Sequence, residues 1–151
     1  MVHAADGEGR APRHAVDIDA KMLAHARTRL ARDRISNCDY QLGDAYGLAD
    51  YVPRPVNLVF MANSFHGVPD RARLAHIVGE ALKSGGRFAI VNWHQLPREK
   101  TTVLGEPRGP SSELRLSPEQ TVKAVETGGL KSTAVVDIPP YHYGAIFAKA
   151  R

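Results

Sequence analysis

Val56-Asn57-Leu58-Val59-Phe60-Met61 is an almost unbroken apolar run of strand length. It constrains the fold more than any other segment, because such a run suits a parallel strand buried on both faces at the centre of a sheet. A second run, Arg87 to Val91, follows one helix later. Between them Asp70 is placed to cap a helix with Leu74, Ile77, Val78, Ala81 and Leu82 as its buried stripe, and Gly85-Gly86 are placed to close it. A strand, a helix and a second strand in this order predict a right-handed parallel crossover.

The flanking segments extend the pattern. A short strand over about 14–18 runs into Asp19, a candidate cap for a helix with Met22, Leu23, Ala26 and Leu30 on one face. Residues 38–42 read as a strand ending at Gly43-Asp44-Ala45, followed by a loop carrying Pro53 and Pro55. The connection from Asn92 to Leu116 is rich in proline and glycine, and irregular connections of that length are usually functional. Ser117-Pro118-Glu119-Gln120 is a capping box with proline in the first turn, and Gly128-Gly129 ends that helix. Two strands, about 132–138 and 143–149, then form an antiparallel hairpin. The expected fold is α/β: a Rossmann-like, mostly parallel sheet with helices on both faces and an antiparallel C-terminal edge hairpin. Residues 1–13 are expected to be an irregular segment, and 14–151 one domain.

Composition narrows the setting. With 151 residues, 43% hydrophobic and 24% charged, the chain has the material for one core. A single cysteine, Cys38, excludes an internal disulfide, and no secretory signal is recognisable, so a cytoplasmic protein is expected. No run reaches the roughly 18–20 apolar residues of a membrane helix. The net charge of +4 is spread rather than blocked, which argues against a nucleic-acid partner.

Several polar residues fall where ligands bind an open parallel sheet, at or beyond the strand ends. Asp17 and Asp44 read either as ligand-binding acids or as turn residues. His66, His94 and His142 offer groups that titrate near neutrality, as a general base requires, or are histidines satisfied locally. None has the spacing of a metal site. Tyr141 and Tyr143 read as pocket or as hairpin packing. Ser64 lacks the Gly-x-Ser-x-Gly elbow of a hydrolase nucleophile.

In order and spacing, four segments resemble the class I S-adenosylmethionine-dependent methyltransferases. Val16-Asp17-Ile18-Asp19 with Met22-Leu23 is similar to that family's second strand and helix; Gly43-Asp44-Ala45 to the segment after its third strand. Residues 57–66, ending Ala62-Asn63-Ser64-Phe65-His66, resemble its fourth strand and following loop, with Asn57 where aspartate is common. Leu82-Lys83-Ser84-Gly85-Gly86 resembles the turn before its fifth strand, with Ser84 in a proline's place.

The resemblance implies S-adenosylmethionine as cofactor, held at Asp17 and Ile18 (ribose), Asp44 and Ala45 (adenine) and Met61. It implies a small-molecule acceptor framed by Asn63, Trp93, Arg108, Tyr141 and His142, with His66 or His94 as base. The departure is at the front. The family places a strand, a Gly-x-Gly-x-Gly turn and a helix before its ribose acid, whereas Gly7-Glu8-Gly9 stands only eight residues before Asp17. A parallel crossover needs a dozen or more residues, so the fold is expected to lack the usual first β-α unit and to be N-terminally truncated relative to the family.

The gap between the second and fourth strands is then filled by residues 1–6 pairing without a helix, by a partner subunit, or by direct pairing of those strands. Exposed apolar edges predict a homodimer. The alternative to a methyltransferase is a catalytically silent, dimeric binding or scaffold relative, or a cleft repurposed for another activity such as hydrolysis.

Overall fold

The computed structural model describes residues 2–5 and 13–150. The strands are β1 (Val2–Ala5), β2 (Arg13–Asp17), β3 (Cys38–Leu42), β4 (Val56–Ala62), β5 (Leu82–Trp93), β6 (Thr102–Val103), β7 (Glu106–Pro107), β8 (Lys131–Ile138) and β9 (His142–Ala148). The helices are α1 (Ala20–Arg32), α2 (Leu48–Tyr51), α3 (Arg71–Ala81) and α4 (Pro118–Thr127).

Among the described residues the main sheet has the order β3-β2-β1-β4-β5-β9-β8, with β6 and β7 forming a small separate hairpin. β2 pairs parallel with β3, and β4 parallel with β5. β1 and β9 each run antiparallel to both neighbours. Hence β2, β3, β4, β5 and β8 point one way and the expected Rossmann-like α/β fold with an antiparallel C-terminal hairpin is present, but the sheet is mixed rather than mostly parallel, because the reversed β1 and β9 make four of its six ladders antiparallel. The crossover from β2 to β3 heads for one edge and that from β4 to β5 for the other, so right-handedness puts α1 on one face and α3 on the opposite one. α2 and α4 pack beside α3.

Local signals explain the helix starts. Asp19 Oδ1 accepts from the Lys21 N–H at 2.8 Å, and Asp70 Oδ1 from the Arg73 N–H at 2.9 Å. The Ser117 box closes reciprocally: the Gln120 N–H donates to Ser117 Oγ (3.2 Å), and the Ser117 N–H to Gln120 Oε1 (2.8 Å). The core lies between the sheet and the α2–α4 face. Phe88 is fully buried at its centre, with the rings of Phe65 and Phe147 both 6.3 Å away.

The structure corrects several expectations. β4 is not buried on both faces: Val59 and Met61 point into the core while Leu58 is exposed, because the α1 side carries only one helix. For the same reason α1 buries Leu23 alone and leaves Met22 exposed. α3 ends at Ala81, and Leu82 already begins β5; Gly85 takes its positive φ inside that strand, where the pairing with β4 shifts register, rather than closing the helix. The segment after Asp44 is not a plain loop. It holds a 3-10 turn and α2, whose Leu48 is fully buried.

The gap in the middle of the sheet is filled by the chain's own first strand. Val2–Ala5, inside the stretch read as irregular, lie between β2 and β4 and pair with both. Seven residues separate Ala5 from Arg13, enough for a hairpin and too few for a crossover, so β1 is reversed. The glycine pair Gly7 and Gly9 lies outside the described residues.

Candidate cofactor cleft

A cleft of about 400 Å³ opens at the C-terminal ends of β2, β3 and β4. Asp17 and Ile18 come from the end of β2, Asp44 and Ala45 from the turn after β3, and Met61 from β4; all five expected cofactor residues line this one space. It is the position where open parallel sheets bind ligands, since the following loops splay apart there.

The turn geometry fixes the two acids. Asp17 Oδ1 accepts from the Asp19 N–H at 2.9 Å, and the Asp17 carbonyl accepts from the Gly43 N–H at 3.0 Å. Asp44 Oδ1 accepts from the Tyr46 N–H at 2.8 Å, capping the 3-10 turn. Both acids therefore serve as turn residues and face the cleft at once, and the two readings of each are compatible. Tyr46 closes the wall in a way its sequence position did not announce: its hydroxyl donates to the Asp70 carbonyl (3.0 Å) and accepts from the Asp70 N–H (2.8 Å). This ties the cleft to the start of α3.

Beyond β4, Asn63 adopts a left-handed φ of 54° and donates its N–H to the Val91 carbonyl at 2.8 Å. Ser64 and Gly67 line the cleft on either side of His66. Arg71 clamps this turn, donating Nη2 to the His66 carbonyl (2.6 Å) and Nε to that of Phe65 (3.3 Å). His66 Nδ1 is buried without a hydrogen-bond partner. Burial first, then the charges of Arg71 and Arg115, hold the His66 imidazole below its ordinary pKa, so it is neutral at neutral pH.

Of the remaining expected acceptor residues, Trp93, Tyr141 and His142 gather elsewhere, at the ends of β5 and β9. Trp93 stacks on Tyr141 (6.1 Å between ring centres), and His142 lies tilted against it (4.1 Å, 44° between planes). His94 Nε2 lies 2.7 Å from Asp137 Oδ1, a partner the sequence reading missed. Asp137 pairs across the hairpin with Tyr143, so counting back from the Pro139-Pro140 turn would have found it. Burial, then His94 and Arg115, lower the pKa of His142, whose Nε2 has no partner.

Arg108 is exposed, and it is its carbonyl that matters. That carbonyl accepts from Arg115 Nη2 (3.0 Å), one of four bonds by which the 2% exposed Arg115 gathers the 94–116 segment. The others run to the Pro110 carbonyl (3.2 Å), the Leu96 carbonyl (2.9 Å) and Thr101 Oγ1 (2.8 Å), while the guanidinium lies 5.3 Å over the Trp93 ring. Among the described residues no group of three or more His, Cys, Asp or Glu is placed to hold a metal ion, and no helix is long and apolar enough to cross a membrane.

A family model for a methyltransferase domain matches residues 2–86, more than half of the chain. No curated protein matches it. Among solved structures it is similar to a SAM dependent methyltransferase from Aquifex aeolicus (TM-score 0.73, 20% identity, 91% of this chain and 68% of that one). It is also similar to a putative type 11 methyltransferase from Sulfolobus solfataricus (TM-score 0.68, 19% identity, 91% and 70%). A third is the N-methyltransferase NodS from Bradyrhizobium japonicum in complex with S-adenosyl-L-homocysteine (TM-score 0.64, 14% identity, 91% and 66%). At these identities the likeness to solved structures is one of fold, and it agrees with the family match. The chain belongs to the methyltransferase-domain family, of the class I S-adenosylmethionine-dependent type.

Proposed function

We propose that the chain binds S-adenosylmethionine and methylates a small molecule, as a cytoplasmic protein without a nucleic-acid or membrane partner. The observation that carries the reading is the convergence of Asp17, Ile18, Asp44, Ala45 and Met61 on one cleft of ligand size. A carboxylate at the end of β2 suits a pair of ribose hydroxyls, and the apolar Ile18, Ala45 and Met61 suit the faces of a purine. The adenosine half of the cofactor fits these residues.

The cofactor supplies a methyl group on an electrophilic sulfonium. The chain's part is alignment and water exclusion. His66 is the base candidate nearer the cleft, because its neighbours Ser64 and Gly67 line it and burial holds its imidazole neutral. Tyr141 and His142, packed on the buried Trp93, offer an aromatic cluster for the acceptor, with Asp137 orienting His94 beside it.

Calorimetric titration with S-adenosylhomocysteine, followed by tritium transfer from methyl-labelled S-adenosylmethionine into a panel of phenols, thiols and amines, tests this. Micromolar binding, worth about 8 kcal/mol, with transfer lost in Asp17→Ala supports it. A folded protein that binds neither compound returns the reading to a silent relative.

We also infer a homodimer. Strand β8 is an edge of the sheet and exposes Val135, Val136 and Ile138 by 46%, 44% and 36%. Such an edge favours pairing with a second copy. A monodisperse monomer at high concentration in light scattering would overturn this.

A further inference from the structure

The basic residues are spread along the chain, but their surplus over the acids is not. Residues 20–34, which make up α1 and the turn after it, hold Lys21, Arg27, Arg29, Arg32 and Arg34 against the single acid Asp33. That net charge of +4 equals the net charge of all 151 residues, so the rest of the chain is balanced.

The helix sorts this charge. At about 100° per residue, Lys21, His25, Arg29 and Arg32 fall within an arc of about 80°. All four are exposed, on the side away from the buried Leu23 and the half-buried Leu30. At about 1.5 Å rise per residue they form a line roughly 16 Å long and one side chain wide. Arg27 is turned off this line and lies 4.8 Å over the Tyr40 ring of β3. Helix stability does not account for the line, because Lys21 stands in a first turn without an acid, where the macrodipole disfavours a cation. Met22, 44% exposed, lies beside it; Ile18, 76% exposed, precedes it and also lines the cofactor cleft.

We propose that this face of α1 docks an acidic α-helix of a partner protein, laid along the line with carboxylates at the same spacing. A facing helix has the same rise per residue, so glutamates at matching positions meet Lys21, Arg29 and Arg32 in turn. Met22 and Ile18 then supply apolar contact beside the ion pairs, as protein interfaces do. A phosphate backbone would use the cations and leave Met22 and Ile18 unused. A lipid surface takes up the apolar face of a helix, and here Leu23 is buried against the domain. A second copy supplies no match: α1 against α1 sets like charges opposite, and α3 and α4 mix Glu80, Glu119 and Glu126 with Arg71, Arg73 and Lys123. A surplus confined to one face also steers an anionic partner there before contact. Docking here does not depend on which cofactor the cleft holds.

The probes are two fluorescein-labelled, alanine-based helical peptides of equal composition. One repeats glutamate at i, i+4, i+8 and i+11, and the other scatters the same glutamates around the helix. Anisotropy titration with the full chain should show the striped peptide binding at least about tenfold more tightly, and raising salt from about 20 mM to about 150 mM should weaken it about tenfold. The variant Lys21→Ala, Arg29→Ala, Arg32→Ala should lose about tenfold or more. Removing the same charge elsewhere, in the exposed Arg87→Ala, Lys123→Ala, Lys131→Ala, should change affinity by less than about twofold. The reversal Lys21→Glu, Arg29→Glu, Arg32→Glu should abolish binding of the striped peptide and create binding of its lysine counterpart. Circular dichroism checks that each variant folds. Equal affinity for the two peptides, equal losses in the two alanine variants, or no binding of the striped peptide overturns the proposal. It is overturned equally by a DNA duplex of about 20 base pairs, or phosphatidylcholine vesicles with about a quarter phosphatidylglycerol, that binds more tightly than the striped peptide and is released by the α1 alanine variant.

Discussion

The Asp17 carbonyl accepts the Gly43 N–H at 3.0 Å, so the acid at the end of β2 and the turn that carries Asp44 are held as one unit. A Cβ at Gly43 would overlap the Tyr51 ring, which packs against this turn. Gly43→Ala is therefore expected to displace both acids together and to weaken S-adenosylhomocysteine binding by about tenfold or more, while the fold away from the turn is retained. Calorimetry alongside far-ultraviolet circular dichroism checks both parts.

Arg115 should matter for the order of the 94–116 segment. Arg115→Met removes four charge-assisted bonds to neutral acceptors and takes the donor from the part-buried Leu96 and Pro110 carbonyls, at a cost of about 3 kcal/mol. Arg115→Lys recovers only part, since one ammonium cannot span acceptors arranged around a planar fork. Urea midpoints, with limited proteolysis between residues 98 and 110, would register both effects.

Stability should fall on mild acidification. His66 and His142 have folded pKa values below the ordinary 6.5, so between the folded and unfolded values the unfolded chain binds more protons. Their contribution is fully present above about pH 6.5 and is lost as pH falls through the lowered folded values. The urea midpoint should hold from about pH 8 to about pH 7 and then decline toward pH 5. His142→Phe, which keeps a ring against Trp93, should make that decline shallower.

Phe88→Ala is expected to cost about 4 kcal/mol, because the side chain is fully buried between Phe65 and Phe147 and neighbouring strands cannot close the void. Thermal denaturation of the variant measures it.

Much of this was legible in the chain because the signals were local. Asp19, Asp70 and Ser117 each cap the helix they precede, and the two acids of the cleft sit at strand ends recognisable from the flanking apolar runs. What was not legible depends on contacts between distant segments. The role of Arg115 lies in carbonyls up to nineteen residues away, which carry no side-chain signature. The Tyr46–Asp70 pair spans twenty-four residues. Burial of β4 was overestimated because an apolar sequence cannot say how many helices will cover each face; here Leu58 remains exposed. The set of acceptor residues divided between the β4 turn and the β5–β9 end because strand order, not spacing along the chain, determines which loops meet.

A β-ladder asks of its middle strand only that donors and acceptors face both ways, and Val2–Ala5 meet that demand running backwards. Polarity decides which end of the strand lies at the cleft rim, here that of Val2. It also changes assembly: β1 and β2 join as a local hairpin that can form before β4 arrives from some forty residues downstream, whereas a parallel arrangement would have had to wait for a long crossover to close. The reversal exchanges a slow, non-local step for a fast, local one at the heart of the domain.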